Sequence, residues 1–304
     1  MDRSSYFIKN KALFGSYPTQ DAITELENEG VRYFVDLTYP NETRITPYKT
    51  KYNYISFPIK DRSYPENCIE FSKFIHNLTK IILSLKNNDK IYIHCKGGHG
   101  RSGVVVAILV CKLFNFTPEG ALEHTTKSHN NREIMRDKWR KIGSPQTYNQ
   151  KNFVYTFCRP LQFFKATKSG QTAGFSNFSQ HDVNIPNKGI FPTSEAAFQS
   201  FKSDNIDYVN KQINATSPNF SKIIGNKVIV DKDWWDKAPE LLFQILILKF
   251  DQHKELIENL LKSGISPIIY HTKSDNMLGD GYGNGENILG KCLVKLRTYY
   301  LSEI

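Results

Sequence analysis

The stretch Lys90–Phe114 leaves this chain few folding choices. Lys90–His94 (KIYIH) is a short β-rich run. His94–Gly103 (HCKGGHGRSG) holds four glycines in ten residues. Val104–Phe114 is apolar, and too long and continuous for a half-exposed strand. The order predicts a strand, a tight loop and a helix. Backbone N–H groups in such a loop converge on an anion at the positive end of the helix dipole. Gly97, Gly98 and Gly100 allow positive φ and close approach of the backbone to that anion.

The side chains around the loop suit phosphate chemistry. Cys95 opens it, where the N–H groups and a cation favour a thiolate. Arg101, six residues on, can grip two phosphate oxygens at once, which lysine cannot. Ser102 can donate a hydrogen bond to the sulfur. Lys96 and His99 add potential positive charge inside the loop, and His94 joins them as a substrate-binding residue.

His94-Cys95-x5-Arg101-Ser102, in a strand–loop–helix setting, resembles the cysteine-dependent tyrosine and dual-specificity phosphatases over roughly residues 1–160. The resemblance implies a phosphocysteine intermediate and a general acid on a loop some thirty residues upstream. Asp61, in Phe57-Pro58-Ile59-Lys60-Asp61-Arg62, takes that role; Asp36 and Asp89 are weaker rivals. Ser144-Pro145-Gln146-Thr147-x2-Gln150 resembles the glutamine loop that positions the hydrolytic water in tyrosine phosphatases, with Gln146 as its substrate-side residue. A Pro-opened helix N-terminus explains that segment equally well. Lys96 and His99 resemble the tensin-type phosphatases, which act on anionic phosphoinositides. The RNA 5′-triphosphatase branch is an alternative, but typically lacks the acid that Asp61 supplies here.

The rest of the first half alternates strand and helix signals: a helix over Asp21–Gly30, β-rich runs at Val31–Leu37 and Tyr52–Phe57, a helix within Pro65–Lys86, and a Thr117-capped helix opened by Pro118. That order predicts an α/β phosphatase fold with a central, mostly parallel sheet flanked by helices. ATKSGQTAG (166–174) is small, polar and without period, and suggests a linker between a 1–162 domain and a 163–304 domain.

Charge supports the division. The 304 residues carry a net +10, of which +9 belongs to residues 1–160. A basic half draws in anionic partners, and a phosphate-binding loop accounts for it without nucleic acid. The longest apolar run, Val104–Val110, falls far short of the ~20 residues of a membrane helix. The opening MDRSSYFIKN lacks the apolar stretch of a signal peptide. Five cysteines without a CxxC pair suggest reduced thiols in a cytoplasmic setting. Cys68 or Cys111 is a candidate to protect Cys95 by disulfide formation, although a buried structural role suits either better. No metal-ligand spacing occurs, and no metal or cofactor is expected.

The second half is helix-rich. In Ser194–Lys202, Glu195, Gln199 and Lys202 share one helical face; alone, such a stripe is a solvated surface. Its context is Phe175-Ser176-Asn177-Phe178-Ser179, Asp233-Trp234, Leu248-Lys249-Phe250, Asp275, Gly279-Asp280-Gly281-x3-Gly285-x-Asn287 and a terminal run ending in Arg297. In this order these resemble the NADAR family, linked to NAD and ADP-ribose, over about residues 163–304. The resemblance implies a helix-rich α+β domain that cleaves a C1′–N bond beside a phosphorylated ribose. Its substrate would be ADP-ribosylated guanine in nucleic acid, or a phosphoribosylated small molecule.

Glu195 would then stabilise the cationic sugar and Lys202 would trap C1′ as a Schiff base. Asp275 is a further acid. Gln199, Asn177, Asn287, Asp280 and Trp234 contact substrate, and Gly279–Gly285 passes close to a phosphate. One departure is Leu278, where the family usually has tryptophan. The expectation is a bifunctional hydrolase acting on phosphorylated protein or small molecules and on ribose-phosphate compounds. The alternative is a phosphatase with a non-catalytic ADP-ribose or nucleic-acid binding module.

Overall fold

The computed structural model describes residues 2–165 and 167–303. Met1, Ala166 and Ile304 lie outside the described residues, so the start of the expected 166–174 linker does too. The chain divides into two compact units, Met1–Arg159 and Pro160–Ile304.

The first unit runs β1 (Ser4–Ile8), β2 (Ala12–Gly15), α1 (Gln20–Asn28), β3 (Val31–Asp36), β4 (Asn53–Ser56), α2 (Cys68–Ser84), β5 (Lys90–His94), α3 (Arg101–Phe114), α4 (Pro118–Asn130), α5 (Asp137–Ile142) and α6 (Tyr148–Cys158). Its sheet has the order β1-β2-β5-β3-β4. Every pairing is parallel except β1–β2. The pair β1 and β2 went unread in the sequence. Four-residue β2 is buried throughout and shows no alternation, because a strand covered on both faces loses its period. Helix α3 is buried from Arg101 to Cys111 and lies against α2, α4 and α6. That burial explains its unbroken apolar run. Thr117 caps α4 through Gly120 N, with Pro118 in its first turn.

The second unit runs β6 (Leu161–Phe163), β7 (Val183–Ile185), β8 (Gly189–Phe191), α7 (Ser194–Ser200), α8 (Ile206–Ile213), α9 (Pro218–Gly225), α10 (Trp234–Gln252), α11 (Lys254–Lys262), β9 (Ile268–Tyr270) and α12 (Ile288–Glu303). β6 pairs in parallel with β9, and β7 with β8 in a hairpin. Because Leu161 pairs with Ile268, the unit begins before the Gly/Thr-rich stretch. The described part of that stretch, 167–174, lies inside the second unit. Helix α7 is buried over its whole length and packs against α8, α9 and α10. Glu195 and Gln199 therefore line no solvated face. Among the described residues no helix is long and apolar enough to cross a membrane.

Candidate active sites

The first site forms where the parallel strands β3 and β5 end, the usual place for a site in an open α/β sheet. β5 delivers His94 and Cys95, and α3 begins at Arg101. Gly100 precedes α3 with no side-chain cap, so the first-turn N–H groups stay available to an anion. Gly98 has φ +72°, and a Cβ there would fall on the Gly15 carbonyl. Only glycine lets the loop pass that close to β2.

Cys95 is buried, with Sγ 3.5 Å from Ser102 Oγ. Arg101 is 2% exposed. Its Nη1 lies 2.7 Å from Glu42 Oε2 and its Nη2 2.9 Å from Glu42 Oε1. Nη1 also donates to the Ile59 carbonyl at 3.1 Å. Asp61 Oδ1 stands 3.1 Å from Nη2, on a side chain 63% exposed. The bidentate bond from Arg101 holds the Glu42 carboxyl below its ordinary range, against the opposing effect of burial. Nothing in the sequence singled out Glu42. Lys96 Nζ lies 4.0 Å from Glu42 Oε1.

The rival acids are committed elsewhere. Asp36 is buried, accepting from Thr38 N and Oγ1 and from the Tyr54 hydroxyl. Asp89 pairs with Arg32 at 3.6 Å.

His99 does not contribute the charge expected of it, and neighbouring His94 carries none either. His94 is buried, its Nε2 lies 2.7 Å from the Tyr48 hydroxyl, and burial pulls its pKa down to about 4. His99 stacks on Trp139, and its Nδ1 lies 2.8 Å from His129 Nε2. Burial, then the charge of Arg132, pulls His99 down to about 3. Both are neutral near pH 7, and the comparison with a tensin-type cationic loop rests on Lys96 alone. Arg132, also unread in the sequence, is buried over the Phe14 ring and interacts electrostatically with Cys95.

In the glutamine segment, Gln150 lies against the loop. Gln150 is buried, donates to Ser63 O at 2.8 Å, and would touch a Cβ placed on Gly100. It also completes a capping box with Thr147, so the helix-start and glutamine-loop readings describe one segment. Cys111 hydrogen-bonds Cys158. It sits ten residues along α3 from Arg101, about 15 Å by helix rise, which removes it as a partner for Cys95.

The second site gathers on α7, α9 and the turn after β9. Glu195 is 1% exposed, and burial raises its pKa. Its Oε1 accepts from Gln199 Nε2 at 2.8 Å, and its N donates to the Asn177 carbonyl. Lys202 donates to Gly225 O at 3.2 Å, its Nζ lies 5.9 Å from the centre of the Trp234 ring, and burial lowers its pKa. Trp234 packs on Phe198. Asn177 Nδ2, Gln199 Oε1 and Trp234 Nε1 are buried without a hydrogen-bond partner among the described residues. Such orphans are costly unless something is to fill them.

Three expected substrate contacts are spent inside the protein. Asn287 accepts from Tyr270 N and donates to Ile268 O, which clamps β9. Asp280 holds His271 Nδ1 at 2.7 Å and accepts from Thr272 N and Tyr282 N. A Cβ on Gly279 would press on the Asp275 and Tyr270 carbonyls, so this glycine serves chain packing. Asp275 is partly committed: Oδ1 accepts from Met277 N and Leu278 N, and Oδ2 lies 2.7 Å from Lys222 Nζ. Leu278 is buried.

Lys222 was not read from the sequence. Lys249 was, but only as part of a motif. Fully buried, it donates to Gly174 O, Ser176 O and Ser179 Oγ at 2.5, 3.0 and 2.7 Å, and lies 3.5 Å from Ser194 Oγ. It thereby ties the loop carrying Asn177 to the start of α7.

Comparison with known proteins gives two family matches. Residues 2–154 match the Swiss Army Knife protein, DSP-PTPase phosphatase domain, and residues 163–299 match the NADAR domain. The chain is 34% identical over 296 residues to "Putative tyrosine phosphatase 197R" of Invertebrate iridescent virus 6, covering 97% of this chain and 90% of that protein. It is 32% identical over 126 residues to N-glycosidase YbiA of Escherichia coli, covering 40% of this chain and 78% of that protein. The solution structure of E. coli YbiA aligns with TM-score 0.43 and 29% identity, covering 48% of this chain and 88% of that one.

Proposed function

Because the chain belongs to the DSP-PTPase phosphatase family through its first unit and to the NADAR family through its second, we propose that it hydrolyses phosphomonoesters through a phosphocysteine at Cys95 and cleaves C1′–N bonds of ribose compounds at Lys202 and Glu195. The observation that carries the first activity is Cys95 at the head of an uncapped α3, with Ser102 3.5 Å from the sulfur and Arg101 fixed by Glu42.

In the first reaction the Cys95 sulfur attacks phosphorus while loop N–H groups and Arg101 hold the phosphoryl oxygens. The ester P–O bond breaks, and Asp61 protonates the leaving oxygen. Water placed beside Gln150 then attacks phosphorus and releases phosphate, with Ser102 stabilising the departing thiolate.

The pairing of Glu195 with Lys202 supports the second reaction. Burial favours the protonated carboxyl and the free amine. The Lys202 nitrogen attacks C1′, the C1′–N bond breaks, and Glu195 gives its proton to the departing base. In the lysine adduct the C1′–O4′ bond then opens, the ring oxygen taking the proton lost from nitrogen, to give a Schiff base that water hydrolyses, freeing the sugar and regenerating the amine. Substrates are phosphorylated protein or small molecules for the first site. For the second they are ADP-ribosylated guanine in nucleic acid or a phosphoribosylated small molecule. The five free cysteines suit a reducing, cytoplasmic setting.

A product screen with the intact chain, Cys95→Ser and Lys202→Ala tests both. Cys95→Ser should abolish phosphate release, and an unaffected rate rejects the nucleophile. Lys202→Ala should abolish base release, and borohydride should trap a sugar adduct on the intact chain. Binding of ADP-ribose without base release would make the second unit a binding module. Release of γ-phosphate from triphosphate RNA that survives Asp61→Ala would favour the RNA 5′-triphosphatase reading.

A further inference from the structure

We propose that Lys165 and Lys222 form the phosphate-binding edge of the second site, taking a phosphate on the 5′ oxygen of the ribose whose C1′ faces Lys202. The proposal rests on the N-glycosidase reading and names the residues that would select phosphorylated substrates.

Three amines, from Lys165, Lys202 and Lys222, interact with two carboxylates, those of Glu195 and Asp275. Burial favours the uncharged form of Glu195, so the cluster is cationic and suited to an anion. Helix α9 organises it. Lys165 Nζ donates to Asn219 Oδ1 and lies 4.1 Å from the centre of the Phe178 ring. Asn219 and Lys222 are i and i+3 on α9, hence neighbours on one face. Lys222 is aimed by Asp275 at 2.7 Å, and Asp275 is itself pinned by two backbone N–H groups. Its side chain remains 26% exposed. Lys165 and Lys222 are close enough that the charge on Lys222 helps depress Lys165, after burial. Two amines that repel each other gain from an anion between them.

Helix α9 also brings the amines to one place. Lys202 is hydrogen-bonded to Gly225 O, three residues beyond Lys222 on the same helix, and the charge on Lys222 acts on Lys202. The glycine-rich turn is no competitor, since Gly279 is packed against the Asp275 and Tyr270 carbonyls. The same phosphate could be a terminal monoester or the inner phosphate of an ADP-ribose.

Calorimetric titration distinguishes these cases. The intact chain carrying Cys95→Ser and Arg101→Ala, which removes the phosphate site of the first unit, is titrated with ribose 5-phosphate, ADP-ribose and ribose. At least one phosphorylated ligand should bind about tenfold or more tighter than ribose. Lys222→Gln and Lys165→Gln should each weaken it about tenfold, the scale of one charge-assisted hydrogen bond. Lys222→Arg should retain most of the affinity, and ribose binding should not change. Loss confined to ribose 5-phosphate identifies a monoester substrate, and loss confined to ADP-ribose a diphosphate. The proposal is overturned if neither phosphorylated ligand binds, if both glutamine variants bind them unchanged, or if ribose weakens equally. Base release is assayed alongside. Charge-dependent binding without base release rejects the glycosidase reading alone and leaves the phosphate site standing.

Discussion

Glu42 grips Arg101 with both carboxylate oxygens, Oε2 2.7 Å from Nη1 and Oε1 2.9 Å from Nη2. The pair is almost out of water, at 13% and 2% side-chain exposure. A planar guanidinium held in this way presents its remaining edge in one orientation. In the proposed reaction Glu42 would therefore be a positioning residue for phosphate capture. Glu42→Ala should lower kcat/KM for aryl phosphates by about 10- to 100-fold, matching about 1.5–3 kcal/mol for hydrogen bonds to a charged group. Glu42→Gln should recover part of the loss. Steady-state kinetics of the two variants, with circular dichroism to confirm folding, check this. Equal and complete inactivation by both would argue that Glu42 does more than orient.

Asp61 lies 3.1 Å from Arg101 Nη2 on an exposed side chain, and the proposed phosphatase reaction makes it the proton donor. Asp61→Asn should lower kcat about 10²- to 10⁴-fold for esters with basic leaving groups. It should matter far less for an activated ester such as p-nitrophenyl phosphate. A leaving-group series read for wild type and variant supplies the answer; parallel lines of equal slope would reject the assignment.

Burial moves Glu195 and Lys202 towards each other in pKa, the carboxyl up and the amine down. The proposed cleavage needs a neutral amine and a protonated carboxyl. The rate should rise with pH as Lys202 loses its proton and fall as Glu195 loses its own, giving a bell. Glu195→Gln should remove the falling limb, and Lys202→Ala should leave no bell at all. The pH profile of kcat/KM for base release is the measurement.

His94, His99 and His129 are held down to about 4, 3 and 4 in the folded first unit, first of all by burial, against 6.5 unfolded. Between pH 6.5 and about 4 the unfolded chain therefore binds more protons, and stability falls as pH falls. Above 6.5 the stability is fully present. His94 alone accounts for roughly 3 kcal/mol of loss by pH 4. Urea unfolding between pH 7.5 and 4.5, followed by Trp139 fluorescence with Trp234 and Trp235 replaced by Phe, should show it. A His94→Gln variant should have the shallower pH dependence.

Burial brings Lys249 down to about 7. Above pH 7 the folded amine is neutral while the unfolded one keeps its proton up to the usual lysine range, so stability rises with pH in that window. Lys249→Met should destabilise the second unit by at least about 2 kcal/mol, because buried oxygens lose their donor. The gap between wild type and variant should widen from pH 7 to 9 in unfolding titrations. A gap that narrows would mean that the folded amine stays charged.

Local chemistry was legible in the sequence. The glycine run between a β-rich and an apolar segment located Cys95, Arg101 and Ser102, because loop, strand and helix signals there are contiguous along the chain. Glu195 and Gln199 were also visible as one stripe, since helical period is a local property, but α7 ends at Ser200 and Lys202, expected on the same face, lies beyond it. The tertiary structure decided the rest. Glu42 meets Arg101 across 59 residues and Lys222 meets Asp275 across 53, and no periodicity encodes such partners. Burial turned His99 from an expected cation into a neutral ring. It also converted the apparently solvated face of α7 into an interior one. Asn287 and Asp280 look like ligand groups in a motif, yet backbone N–H and C=O groups around β9 and the turn after it claim them first. A sequence shows which side chains are able to bind a substrate. Only the packed fold shows which are still free to do so, because hydrogen-bond satisfaction and desolvation depend on every element brought together in space.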